Sequence, residues 1–236
     1  MLEKRKPIIG LTMGDPNGIG PEIIVKALTK LNSCLEWHPV IFGDAWVFVQ
    51  VINKLGSNLQ LRVCENLAEL TSGPCIVDLK VHSGRNWNLG QVGAWGGESS
   101  FQFLKVAIEA ALANQIDAIT TAPISKTALH MAGHHFPGHT EILSALSNGA
   151  PPIMMLTVEG LRAVHVSIHV SLRNAIEQLQ PKRILEVAQV THDTLRRMGI
   201  ENPRLALPGL NPHAGEEGLF GDEAVSYTHL TLPTKA

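Results

Sequence analysis

Cysteine is scarce: three residues in 236, at positions 34, 64 and 75. The odd number and the lack of C-x-x-C spacing argue against a disulfide frame or a cysteine zinc site and fit a reduced, cytoplasmic setting. No apolar run approaches the roughly 20 residues of a spanning helix. Met1-Leu2-Glu3-Lys4-Arg5-Lys6 carries charge but no apolar stretch or small-residue cleavage site, so it does not read as a secretory leader. Surplus charge is missing too. Lys and Arg number 19 against 21 Asp and Glu, a net −2, which leaves no basic field for nucleic acid or an anionic membrane. Glycine and proline, 21 and 14, are too few for a low-complexity polymer. No G-x-x-x-x-G-K-[ST] occurs, which rejects a P-loop. The dinucleotide fingerprint also fails, because the third glycine position after Gly18-x-Gly20 is Ile23.

What remains is an ordinary globular balance, 44% hydrophobic and 17% charged, in a chain long enough for one large domain or two small ones. Pro7 to Thr12 reads as a short buried strand, and Val40-Ile41-Phe42, Leu61-Arg62-Val63, Ile76-Val77 and Ala118 to Thr121 as further short strands. Pro21-Glu22 start a helix with an apolar stripe at Ile23, Ile24, Ala27 and Leu28. A second helix, with Asp44 as its N-cap, runs to Leu55. The stretch from His82 to Gly97 reads as irregular, and a helix carries Phe101, Leu104, Ile108, Ala111 and Leu112. Ile153 to Val158 and Leu161 to Ile168, hinged by Glu159-Gly160, predict a hairpin. A helix follows through Ile184, Ala188, Leu195 and Met198 with Gly199 as its stop, then a last strand at Arg204 to Leu207. Alternating strands and helices imply an α/β fold with a mostly parallel sheet and one mixed portion.

Four loops follow strands: 14–20, 122–126, 169–173 and 209–216. Ligands sit at the carboxyl ends of strands in open α/β sheets, so one shared cleft is the economical expectation. Asp15 either binds a ligand or caps its turn. Lys126, after Ser125 and near Thr120 and Thr121, either completes an anion cradle at a helix start or is a solvated lysine. In Gly138-His139-Thr140-Glu141, Thr140 is expected to cap the next helix, and His139 is either left beside free backbone N–H groups, a setting for phosphate, or is a surface histidine at a capping-box entry. His134 and His135 read as solvent-exposed. His165 and His169 share a strand face about 13 Å apart, too far to chelate one ion. His169 at the strand end is therefore the better ligand candidate, and His165 a packed strand residue. His213, held between Asn211-Pro212 and Ala214-Gly215-Glu216, is a second candidate, and two such imidazoles with a third ligand could hold a divalent metal. His192 and His229 receive no role.

Four blocks together carry a specific resemblance: Gly14-Asp15-Pro16-Asn17-Gly18-Ile19-Gly20-Pro21-Glu22, Thr121-Ala122-Pro123-Ile124-Ser125-Lys126, Gly138-His139-Thr140-Glu141, and Gly209-Leu210-Asn211-Pro212-His213-Ala214-Gly215-Glu216. In this order, over about residues 7 to 224, the chain resembles the 4-hydroxythreonine-4-phosphate dehydrogenase family of pyridoxine biosynthesis, with its close relatives acting on 4-phospho-D-threonate or 4-phospho-D-erythronate. The resemblance implies a two-lobed fold similar to isocitrate and isopropylmalate dehydrogenases, with a central cleft and a homodimer. It implies NAD (or NADP) bound without the dinucleotide fingerprint, and a divalent metal such as Zn, Mg, Mn or Co. His139 and Thr140 would contact the substrate near its phosphate, and His169 and His213 would be two of three metal-binding histidines.

The resemblance also implies a later Tyr-His-Asp-Gln-type block supplying the third histidine, followed by a lysine, an asparagine and an arginine that bind substrate. No such block occurs. Similarity stops near Gly221-Asp222-Glu223, so residues 1–224 are expected to form a truncated dehydrogenase region and 225–236 an atypical tail. The implied chemistry is oxidation of 4-phosphooxy-L-threonine followed by decarboxylation. The alternatives are oxidation of the phosphorylated threonate or erythronate, or a phosphate-binding fragment without turnover.

Overall fold

The protein is described by a computed structural model covering residues 5–31, 36–64, 67, 73–81, 87–147, 149, 152–168 and 170–221. The atypical tail lies outside the described residues. The chain divides into two compact units, 1–152 and 153–236.

The first unit alternates strand and helix: β1 (Ile8–Thr12), α1 (Gly20–Leu31), β2 (His38–Gly43), α2 (Ala45–Leu55), β3 (Arg62–Val63), β4 (Cys75–Asp78), α3 (Ala94–Leu112), β5 (Ala118–Thr121), α4 (Lys126–Met131) and α5 (His139–Leu146). The five strands form one sheet in the order β3-β4-β2-β1-β5, every pair parallel. Met13, Val40, Ile41, Phe42, Phe48 and Phe103 are fully buried around it. Strands covered on both faces read as unbroken apolar runs, which is why β1 and β2 are legible without alternation. β1 lies between β2 and β5, so strand order reverses at the β1–β5 junction. The carboxyl ends of these two strands are therefore the crevice where such a sheet binds ligands.

Three local expectations change. Asp44 occupies the cap position of α2 but makes no cap bond. Its Oδ1 accepts from Val81 N at 2.9 Å instead, and Asp78 Oδ1 accepts from Ala45 N at 2.9 Å. In α1, Ile24 and Leu28 are buried with Val25, whereas Ile23 is 41% exposed and Ala27 is exposed too. Helix α3 begins at Ala94, seven residues before Phe101, and takes Gly96 and Gly97 into its first turns. A side-chain carbon on Gly97 would lie 2.0 Å from the Ala128 carbonyl oxygen, and one on Gly96 would lie 2.6 Å from Asp15 Oδ1. Close packing on α4 and on the β1 loop selects glycine there, against its poor helix propensity.

The second unit opens with the antiparallel hairpin of β6 (Met155–Val158) and β7 (Leu161–Val164), turning at Glu159-Gly160 with Gly160 at φ 78°. Helices α6 (Leu172–Glu177) and α7 (Pro181–Arg197) follow. Ser171 caps α6 by accepting from Asn174 N at 3.2 Å, and Gly199 ends α7 at φ 88°. β7 stops at Val164, so His165 is exposed beyond the strand rather than packed within it. Arg204 to Leu207 forms no strand; Leu205 and Leu207 are 40% and 49% exposed, and no described strand pairs with the run to form a ladder. An apolar run becomes a strand only where a neighbour supplies hydrogen bonds. Among the described residues no helix is long and apolar enough to cross a membrane.

Candidate functional site at the carboxyl ends of β1 and β5

The loop after β1 is bound to the end of β5. Gly14 has φ 72°, and a side chain there would meet the Pro123 carbonyl oxygen at 2.2 Å. Asp15 N donates to the same oxygen at 3.0 Å. The buried Asp15 carboxylate accepts from Asn17 N at 2.9 Å, an Asx turn, so the capping alternative for Asp15 is realised. Burial pushes its carboxyl above the usual carboxylate range, and the Asn17 bond opposes this only in part. Asn17 is itself buried and pins the segment before α3: its Nδ2 donates to Gln91 O at 3.0 Å and its Oδ1 accepts from Asn88 N at 3.3 Å. Trp87 Nε1 donates to Pro16 O at 2.9 Å. The resulting cavity, about 210 Å³, is lined by Asp15, Asn17, Gln91, Ile124 and Ser125, among others.

Ser125 caps α4, its Oγ accepting from Ala128 N at 3.2 Å. Helix α5 begins two residues earlier than expected. Gly138 is its N-cap, with extended backbone and no side-chain cap bond, so Thr140 lies inside the first turn, exposed, and does not cap. The first N–H groups of α5 therefore receive no side-chain acceptor from its cap residue. A side-chain carbon on Gly138 would lie 3.6 Å from Glu141 Oε2 and 4.0 Å from Lys126 Cε, which places a carboxylate and the lysine stem together at the start of α5.

His139 is the first residue of α5 and is half-buried. Its ring is hydrogen-bonded to the main chain of Ala122 at the end of β5, and its Nε2 is buried with no partner. Burial lowers the imidazole pKa below its ordinary 6.5, outweighing the Ala122 bond that raises it. A ring fixed at one nitrogen keeps the other for a ligand, and a buried nitrogen without a partner is costly unless something binds it.

His134 is not a solvated residue. Its Nε2 lies 2.7 Å from Glu98 Oε2, and its ring stacks on Phe101 with centroids 3.8 Å apart and 13° between planes. His135 is exposed as expected, edge-on to His130 at 5.4 Å.

The metal candidates stand differently. His169 lies outside the described residues. His213 is exposed in the second unit, on a stretch where five residues in a row are left-handed: His213, Ala214, Gly215, Glu216 and Glu217, with φ 51°, 54°, 94°, 43° and 55°. Such a run is disfavoured for every non-glycine residue in it. Its exposed imidazole is a suitable ligand type, but among the described residues no three His, Cys, Asp or Glu side chains come together as a metal set.

The first unit is thus an α/β fold that gathers polar loops at the carboxyl ends of its strands. The sequence profile of the pyridoxal phosphate biosynthetic protein PdxA family matches residues 36–230, and the chain belongs to that family. The D-threonate 4-phosphate dehydrogenase of Salmonella typhimurium is 40% identical over 220 residues, 91% of this chain and 67% of the relative. Among solved structures, 4-hydroxythreonine-4-phosphate dehydrogenase from Klebsiella pneumoniae superposes with a TM-score of 0.82 at 38% identity, covering 94% of this chain and 68% of that one. The enzyme of the same name from Burkholderia phymatum gives 0.79 at 37% identity, covering 93% and 68%. The chain spans about two thirds of the length of each of these relatives. Its relatives are dehydrogenases by name, and the chain belongs with the oxidoreductases.

Glu98 carries no motif signal, Asn17 enters only as one member of its block, and His134 reads from the sequence as solvent-exposed. Glu98, Phe101 and Gln102 are spaced three and four apart, which would have put one carboxylate and one aromatic on the same helical face had the helix been started at Ala94.

Proposed function

We propose that the chain acts as an NAD-linked dehydrogenase on a four-carbon hydroxy acid phosphorylated at its far end. The observation that carries this reading is His139: an imidazole anchored to Ala122, with a buried unpartnered Nε2, at a glycine-capped helix start beside Lys126 and Glu141. Helix-start N–H groups, a lysine and an imidazole are the donors a phosphate needs. A phosphate arriving there favours the charged ring and so offsets the burial that keeps it neutral in the free protein. Thr140, exposed in the same turn, adds a hydroxyl.

Held by its phosphate, the substrate has its secondary alcohol oriented for hydride loss, so that remote binding energy is spent on alignment. Hydride passes to NAD (or NADP), a proton leaves the hydroxyl, and the resulting β-keto acid loses CO₂. His169, His213 and one further ligand would hold a divalent ion (Zn, Mg, Mn or Co), whose chemistry is to lower the pKa of the substrate hydroxyl. The reading extends to a homodimer in the cytoplasm. Two substrates share this skeleton: 4-phosphooxy-L-threonine has an amino group where D-threonate 4-phosphate has a hydroxyl. The name of the Salmonella relative favours the second.

The test is NADH formation from each compound with Mg²⁺, Mn²⁺, Zn²⁺ or Co²⁺ present, and again after chelation. Turnover of either that is abolished by chelator supports the reading. No turnover of either phosphorylated acid, by this chain or by one extended to its relatives' length, overturns it.

A further inference from the structure

Helix α5 packs on α3 and α4 through buried Ile142 and half-buried Leu143 and Leu146, all C-terminal to His139. Its first turn, which carries His139, is therefore placed by the bond of that ring to Ala122 and by the loop leading into it. That loop is tied to α3 at one point. Glu98 Oε1 accepts from Gln102 Nε2 at 2.7 Å, and Glu98 Oε2 meets His134 Nε2 at 2.7 Å. The His134 ring lies flat on Phe101, and Phe136 lies roughly parallel to Phe101 with centroids 6.1 Å apart. Main-chain bonds complete the knot: His134 N donates to Leu129 O at 2.9 Å and Phe136 N to His134 O at 3.0 Å.

We propose that Glu98 and His134 are positioning residues: by tying the loop before α5 to α3, they hold the His139 ring at the end of β5 in the geometry that receives phosphate. This rests on the phosphate role of His139. Glu98 suits the task because Gln102 and His134 already engage both of its oxygens, which fixes its rotamer. Neither residue needs to touch the ligand.

The test compares Glu98→Ala, Glu98→Gln and Phe101→Leu with the unaltered chain. Binding of inorganic phosphate and of D-threonate 4-phosphate is measured calorimetrically, and the His139 ring is followed by NMR in histidine-labelled protein. The expected result for Glu98→Ala is a loss of about tenfold or more in affinity for both anions, with displaced His139 ring signals and a nearly unchanged melting temperature. Glu98→Gln, which can still hydrogen-bond His134, recovers part of the affinity, and Phe101→Leu shifts the same ring signals. Unmoved His139 signals with unchanged anion affinity in Glu98→Ala overturn the proposal. The phosphate reading fails separately: His139→Ala would then leave anion affinity unchanged, while the NMR shift in Glu98→Ala would still report whether the knot positions the ring.

Discussion

His139 and Asp15 are two titratable groups whose burial pulls in opposite directions on stability. The His139 pKa is lowered from 6.5 in the folded chain, so on acidification the unfolded chain takes up a proton that the folded chain refuses. This group's contribution is fully present above pH 6.5 and is lost as pH falls below it. His139→Gln should remove that slope: melting temperatures of the two proteins should converge as pH falls below 6.5. Parallel melting curves across that window would show a ring that is not buried as described. Asp15 behaves the other way. Its folded pKa is raised from 3.8, so the folded chain keeps the proton longer, and this stabilisation is lost as pH rises through the folded value. Asp15→Asn preserves an acceptor for Asn17 N and carries no charge. It should melt a few degrees higher at neutral pH, with the gain vanishing as pH falls toward 3.8. A lower melting temperature at neutral pH would mean that the carboxylate is held by a partner charge.

At Gly97 the contact between α3 and α4 is main chain against main chain. Gly97→Ala forces the helices apart, because the Ala128 carbonyl carbon and the Leu129 nitrogen also crowd the added methyl, at 2.2 and 2.6 Å. The cost should be about 2–3 kcal/mol in denaturant unfolding, and a loss below half that would show that α4 can give way. This contact also marks the limit of legibility at the level of elements. β1, β2, β5, α2 and α7 follow from apolar runs, caps and stops that act locally, and the hairpin turn is legible because Glu159-Gly160 supplies its own left-handed residue. The first turns of α3 are hidden, since Gly96 and Gly97 are poor helix formers whose choice depends on Asp15 and Ala128, distant in sequence. Arg204 to Leu207 errs in the opposite direction: local propensity is satisfied and a pairing strand is wanting among the described residues. The setting of His134 is hidden for the same reason as the first turns of α3, because its partners Glu98 and Phe101 lie more than thirty residues away.

Across the whole molecule, the topology brings the glycine-rich loop, the Ala122-Pro123 end of β5 and the His139 helix start to one junction of the sheet. Three of the four sequence blocks therefore meet for a topological reason, the reversal of strand order at β1. The fourth, around His213, presents its imidazole from a left-handed turn in the second unit. Family membership was legible from the four blocks because each is a loop with few acceptable residue types. The central claim is that His139 receives the phosphate, and calorimetric binding of D-threonate 4-phosphate and of unphosphorylated D-threonate to the unaltered chain and to His139→Ala tests it most directly. Loss of a charge-assisted bond should weaken the phosphorylated ligand by about tenfold to a hundredfold and leave the unphosphorylated one nearly unchanged. Equal losses for both ligands, or none for either, would contradict it.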